Sequence, residues 1–155
     1  LLQCQTRHGL TQGYFEDPQA SAELLRDGWL HTGDVGVCDE DGYFHFLERE
    51  KDMIKRSGFN VAAAEVERVL LGHASVREAA VVGIPDDLRE EAIVAFVVAA
   101  GDADADAEIL RSHCAAQLAA YKVPEHVVTL ETMPENFLGK VEKKLLREMA
   151  RARFP

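Results

Sequence analysis

The apolar run Ala92–Ala100 constrains the fold more than any other feature. Its nine residues are too few to span a bilayer. From Ala92 to Ala99 both alternating faces are apolar, so the segment reads as a strand buried on both sides. Helical patterns flank it. Ala62–Gly72 places Val66, Val69 and Leu70 at helical spacing and stops at Gly72. Ala107–Ala120 reads as a second helix, and Val141–Arg153 as a terminal one with Leu145, Leu146 and Met149 as its apolar stripe. Glu78–Ile84 reads as a strand broken by Pro85, and Val127–Leu130 as a short strand. The first third is β-rich. Residues 1–15 read as strand and loop, Pro18–Arg26 as a helix led by Asp17, and Trp29–Val37 as a strand running through Thr32-Gly33-Asp34. Asp39–Gly42 is a turn that returns into Tyr43–Leu47, making a hairpin. The pattern predicts an α+β fold, a central sheet flanked by helices, with a boundary near Leu47–Lys51.

Composition narrows the function classes. A chain of 155 residues with 47% hydrophobic side chains can bury a core and is not disordered. A net charge of −10 argues against nucleic acid or an anionic membrane surface as partner. The charge is uneven: residues 1–50 carry 3 basic and 10 acidic side chains, whereas residues 140–155 carry 6 basic and 2 acidic ones. Cys4, Cys38 and Cys114 lie far apart and read as reduced thiols of a cytoplasmic protein. No signal peptide or transmembrane segment is visible, and a first residue of Leu rather than Met suggests a piece of a larger protein.

Several local patterns fail on inspection. Asp102, Asp104 and Asp106 have calcium-loop spacing, but Ala107 and His113 stand where that loop needs Gly and Glu, so the segment reads as an exposed acidic loop. Gly139-Lys140 resembles the end of a phosphate-binding loop, but Pro134 and Val141 break the pattern. A lysine after a flexible glycine can swing toward an anion, or simply lead a helix. His73, His113 and His126 lack metal-ligand spacing, and there is no G-x-S-x-G elbow.

Four stretches carry a wider pattern: Gly28-Trp29-Leu30-His31-Thr32-Gly33-Asp34; Arg49 to Gly58, continuing to Val61 and Glu65-Val66-Glu67; Tyr121-Lys122-Val123-Pro124; and Met133-Pro134 through Gly139-Lys140-Val141. In this order the chain resembles the C-terminal part of the adenylate-forming superfamily, which includes acyl-CoA synthetases, luciferase and peptide-synthetase adenylation domains. The resemblance implies that residues 1–48 are the β-rich tail of a large N-terminal AMP-binding domain. It implies that residues 49–155 are the small C-terminal lid domain. Most of the large domain, with its pyrophosphate-gripping and adenine-gripping motifs, would lie upstream. The fragment alone is expected to be inactive.

The resemblance also implies a two-step chemistry. A carboxylic acid reacts with ATP to give acyl-AMP; the small domain then rotates, and CoA takes the acyl group. Lys140 matches the catalytic lysine, whose ammonium stabilises charge at the α-phosphate. Asp34 and Arg49 match residues that hold the ATP or AMP ribose. Lys51 falls at the hinge. Gly58 falls in the loop bordering the CoA pantetheine tunnel, or is only a turn glycine. Mg²⁺ is implied by ATP chemistry, with no metal ligand nameable in this chain. Gly83–Asp87 and Ala92–Val98 look like acyl-CoA and carnitine-type CoA ligases. Glu48, Phe59, Ala63 and Leu138 depart from the family's usual residues, and Phe59 would reshape the tunnel wall. Two alternatives remain: an adenylation domain loading a carrier protein, and an isolated, non-catalytic lid-like binding module.

Overall fold

In the computed structural model, which describes residues 3–5, 10–101 and 105–154, the apolar run becomes the central strand of a sheet with helices on both faces. The strands are β1 (Gln3–Gln5), β2 (Leu25–Arg26), β3 (Trp29–His31), β4 (Asp34–Cys38), β5 (Phe44–Arg49), β6 (Met53–Arg56), β7 (Phe59–Ala62), β8 (Val76–Asp86), β9 (Glu90–Ala99) and β10 (His126–Leu130). The helices are α1 (Pro18–Leu24), α2 (Ala63–Leu71), α3 (Ala107–Gln117) and α4 (Lys143–Arg153). The chain divides into two compact units, Leu1–Lys51 and Asp52–Pro155.

The second unit is built around β9. It pairs antiparallel with β8 along nearly its whole length, parallel with β10, and through Arg56–Glu90 with β6, which continues to β7. Strand alternation sends successive β9 side chains to opposite faces. Ile93, Ala95 and Val97 pack with Val66 and Leu70 of α2 and Leu110 and Cys114 of α3. Val94, Phe96 and Val98 pack with Leu146 and Ala150 of α4. Helices on both faces are the reason the run is apolar throughout.

The structure corrects several local expectations. Pro85 does not break β8; it pairs with Glu91 and the strand continues to Asp86. β8 lies at an edge, pairing only with β9 among the described strands, where a missing N–H is tolerated. α4 starts at Lys143, because Val141 forms a bridge with Glu135 instead. Its buried stripe is Leu146 and Ala150, while Leu145 and Met149 are exposed. The helix expected from Ala62 starts at Ala63, because Ala62 closes the strand Phe59–Ala62. α1 gives way at Leu25 to a two-residue strand. Asp106 caps α3, accepting from the backbone N–H groups of Glu108 and Ile109 at 2.9 Å; Asp102, Ala103 and Asp104 lie outside the described residues.

In the first unit, β3 pairs with β1 and β2, and β4 pairs with β5 in a separate hairpin. The segment Trp29–Val37 is therefore two strands of two sheets, parted at Thr32-Gly33. Among the described residues no helix is long and apolar enough to cross a membrane.

Candidate functional site

Each unit carries its own share of the residues singled out in the sequence. In the first, the hairpin places Asp34 and Arg49 directly opposite one another at the open ends of β4 and β5. The Arg49 Nε lies 3.1 Å from Asp34 Oδ1, and Arg49 Nη1 donates to the Thr32 carbonyl at 3.0 Å. The turn feeding Asp34 is fixed locally. Thr32 Oγ1 accepts from Asp34 N–H at 3.1 Å, and Gly33 adopts φ +70°, a region that glycine enters without strain. The Gly33 carbonyl accepts from Glu50 N–H at 2.8 Å. The pair is half-exposed, so the Asp34 carboxylate keeps acceptor sites for a polyhydroxyl ligand. Glu48, immediately before Arg49, is buried and accepts from the Arg49 N–H at 3.0 Å.

Lys51 lies in the short 3₁₀ turn Glu50–Asp52, at the division between the units. Its neighbours are anchored: Glu50 to Gly33 by the bond above, and Asp52 to Arg147 of α4, Oδ1 to Nη2, at 2.6 Å.

In the second unit, Ser57 and Gly58 form the two-residue turn between β6 and β7, both with positive φ (+49° and +79°), as a type I′ hairpin requires. The turn is held from outside. Gly58 N–H donates to Glu90 Oε2 at 2.8 Å, and Ser57 N–H to the Arg89 carbonyl at 2.9 Å. The space a Cβ of Gly58 would enter is open. Phe59 stacks on Tyr121, ring centroids 4.5 Å apart. The ring is thus occupied by the Tyr121-Lys122-Val123-Pro124 stretch.

Lys140 closes a tight loop between β10 and α4. Asn136 N–H donates to the Lys140 carbonyl at 2.8 Å, and Gly139 N–H to the Asn136 carbonyl at 2.9 Å. The Asn136 side chain accepts from both Leu138 N–H and Lys140 N–H, at 2.9 and 3.1 Å. Gly139 has φ +72°. The loop is hydrogen-bonded into one shape rather than held loosely by a flexible glycine. Lys140 is exposed, and among the described residues its ammonium forms no ion pair. Phe137, 96% exposed, and Leu138 form the apolar tip beside it.

The Glu65-Val66-Glu67 stretch serves the architecture. Glu65 binds the Lys122 ammonium at 2.7 Å; Glu67 binds Lys143 at 3.0 Å and accepts from Val81 N–H at 2.8 Å. Asn136 and Glu90 are the organising residues that the sequence reading passes over. An Asn three residues before a positive-φ Gly is a turn signal that identifies the first; Glu90 acts across the sheet and leaves no local signal. Among the described residues, no three His, Cys, Asp or Glu side chains converge to hold a metal ion.

Residues 65–140 match the family of AMP-binding enzyme C-terminal domains, and this part of the chain belongs to that family, the C-terminal domain of adenylate-forming enzymes. Its relatives include the long-chain-fatty-acid–CoA ligase of Salmonella typhimurium, 43% identical over 91% of this chain. The crotonobetaine/carnitine–CoA ligase of Salmonella arizonae is 42% identical over 89% of it. The chain spans about a quarter of their lengths (25% and 27%). Among solved structures, ATP-bound MatB from Rhodopseudomonas palustris superposes with a TM-score of 0.85, 35% identity and 93% coverage of this chain (29% of its own). The amide bond synthetase McbA from Marinactinospora thermotolerans gives 0.80, 43% and 88% (28% of its own).

Proposed function

We propose that this chain is the C-terminal portion of an AMP-forming acyl-CoA ligase, residues 1–48 being the tail of its large nucleotide-binding domain and residues 49–155 its lid. The parent activates a carboxylic acid with ATP and transfers the acyl group to CoA, acting in the cytoplasm. The observation that carries the reading is the Lys140 loop, a closed turn that presents an ammonium with no ion partner among the described residues, in a chain holding 27 acidic residues. An ammonium so presented stabilises negative charge gathering on the α-phosphate, most strongly where water is excluded. Phe137 and Leu138 beside it supply apolar cover for that exclusion.

Asp34 accepts hydrogen bonds from ribose hydroxyls, and Arg49 orients it. Lys51 is the hinge. With Glu50 tied to one unit and Asp52 to the other, the backbone rotation between half-reactions falls on the residue between them. Gly58, in an open turn, lines the path of the CoA pantetheine arm. Among the described residues the donor set offers no cage for Mg²⁺.

The test is Lys140→Ala in the full-length parent, with the two half-reactions assayed separately. Acyl-AMP formation should fall by about 10²–10³-fold, the loss typical of removing one transition-state donor. CoA thioester formation from supplied acyl-AMP should be kept. Retention of both overturns the assignment. The likeness to an amide bond synthetase makes an amine the competing acceptor. Amide formation without thioester formation from supplied acyl-AMP would select it.

A further inference from the structure

The register of β6 with β9 holds a single residue pair, Arg56 opposite Glu90. Side-chain carboxylates extend that junction. Glu91 Oε2 accepts from Lys55 N–H at 2.6 Å, and Glu90 Oε2 accepts from Gly58 N–H at 2.8 Å. Glu91 has room to reach across because Gly83 of β8 carries no side chain; a Cβ there would lie 3.0 Å from the Glu91 carboxyl group. Glu90 has no such ease. It follows the three-residue turn 87–89, whose shape Asp86 fixes by accepting through Oδ1 from Leu88 and Arg89 N–H, at 2.9 and 2.8 Å. Its own φ is +68°. The residue after such a turn is commonly glycine, because a side chain in the left-handed region is strained. Glu90 is exposed, and among the described residues it forms no ion pair that would account for a carboxylate there.

We infer that Glu90 is a positioning residue, kept at a strained backbone position because its carboxylate holds the Ser57–Gly58 turn in the shape that meets the pantetheine arm of CoA. Strain of this kind persists only where the surroundings over-determine it. Here Asp86 fixes the preceding turn, and pairing with Arg56 fixes Glu90 itself. In return Glu90 contributes a bond from an ionised acceptor to a backbone N–H, stronger than a neutral pair. That bond falls on Gly58, whose φ is +79° and whose missing Cβ leaves open space. The strands the turn joins have four residues each, too few to hold a hairpin rigid by themselves. Glycine at position 90 would relieve the strain but lose the acceptor; alanine would keep the strain and lose the acceptor. The CoA part of the inference rests on the reading of Gly58 given under the proposed function.

Three substitutions separate the strain from the bond: Glu90→Gly, Glu90→Ala and Glu90→Gln. Amide exchange at Gly58 in this chain, with β9 as internal control, should quicken about fivefold in the Gly and Ala variants, the equivalent of one net hydrogen bond. The Gln variant, whose amide oxygen still accepts, should stay within about twofold of the unsubstituted chain. The urea midpoint of Glu90→Gly should lie above that of Glu90→Ala, as the left-handed backbone demands. In the full-length parent supplied with acyl-AMP, Glu90→Gly should raise the KM for CoA about fivefold, with kcat and the acyl-AMP half-reaction unchanged, and Glu90→Gln should restore the KM. Unchanged Gly58 exchange in both the Gly and Ala variants overturns the inference, whatever the ligase does. Faster exchange with an unmoved KM overturns it as well where Gly58→Ala raises the KM, since the turn then matters and Glu90 does not. A KM that Gly58→Ala also leaves unmoved takes the turn out of the CoA path; that failure lies in the reading of Gly58, and the positioning role falls with it.

Discussion

The two units differ in what holds them. Every buried apolar side chain among the described residues lies between Ile54 and Ala150, in the second unit. The first unit's one buried described residue is Glu48, while Tyr14, Phe15, Trp29, Tyr43, Phe44 and Phe46 are exposed, Phe15 to 90%. Both units have ordered strands, so backbone pairing alone does not create a core. A two-stranded hairpin such as β4–β5 is marginal in water without a surface to cover it. Exposed aromatic surface on that scale marks an interaction face. We propose that the remainder of the nucleotide-binding domain covers it in the parent protein.

The largest expected effect tests this contrast. Phe96→Ala, at a site 1% exposed between β9 and α4, should destabilise the second unit by about 3–5 kcal/mol in urea titration. Phe46→Ala in the first unit should stay within about 0.5 kcal/mol in the same chain. Equal losses would mean that the exposed aromatics already have a core of their own.

The next test contrasts the ion pairs. Removing Glu125 leaves Arg56 charged and largely buried and takes an acceptor from Ile93 N–H, so Glu125→Ala should cost about 3 kcal/mol. Arg49→Ala breaks the more exposed pair with Asp34 and should cost under about 1 kcal/mol. Under the proposed function, its effect should fall instead on nucleotide affinity in the parent. A large stability loss from Arg49→Ala would recast that pair as structural.

A smaller effect is expected at the Lys140 loop. Asn136→Ala removes the acceptor for two backbone N–H groups on an exposed turn, which should cost about 1 kcal/mol. Amide exchange at Leu138 and Lys140 should accelerate while exchange in β9 is unchanged. In the parent the same variant should slow adenylation without moving the thioester half-reaction.

What the sequence disclosed and withheld divides along the same physical line. The doubly apolar β9, the α2 spacing of Val66 and Leu70 and the Asp-Gly turn of β4–β5 are local patterns, and each is present in the structure. Pro85 within β8 misleads because edge position, which makes it harmless, is a property of the sheet and not of the segment. Leu145 and Met149 mislead because a stripe is chosen by what packs against the helix; Ala150, a weaker signal, is the residue that β8 and β9 cover. For the candidate site, Asp34, Arg49, Lys51, Gly58 and Lys140 are singled out only through a resemblance spread over four stretches, and their roles stay proposals. The hold of Glu90 and Glu91 on the β6–β7 hairpin is not legible, since strands distant in sequence have to meet to form it.

The smallest expected effect at neutral pH concerns the thiols, and it sets the units against each other again. Cys38 in β4 is exposed, whereas Cys114 in α3 is fully buried beneath the sheet, and burial pushes its thiol up to about 11 from 9.0. Only the thiolate reacts, so this shift alone lowers the reactive fraction of Cys114 about a hundredfold at about pH 8, before restricted access is counted. Alkylation followed by peptide mapping should show Cys38 modified first and Cys114 modified only on unfolding. The stability consequence has a definite sign. The unfolded chain loses the Cys114 proton near 9.0 and the folded one near 11, so stability is unaffected well below 9.0 and declines as pH rises through that window. Cys114→Ala should remove this alkaline decline while lowering stability at neutral pH through the lost packing. An unchanged alkaline slope in that variant would show that Cys114 is not held neutral by the α3–sheet interior. It would also weaken the claim that this interior, rather than the hairpin surface of the first unit, is where the chain excludes water.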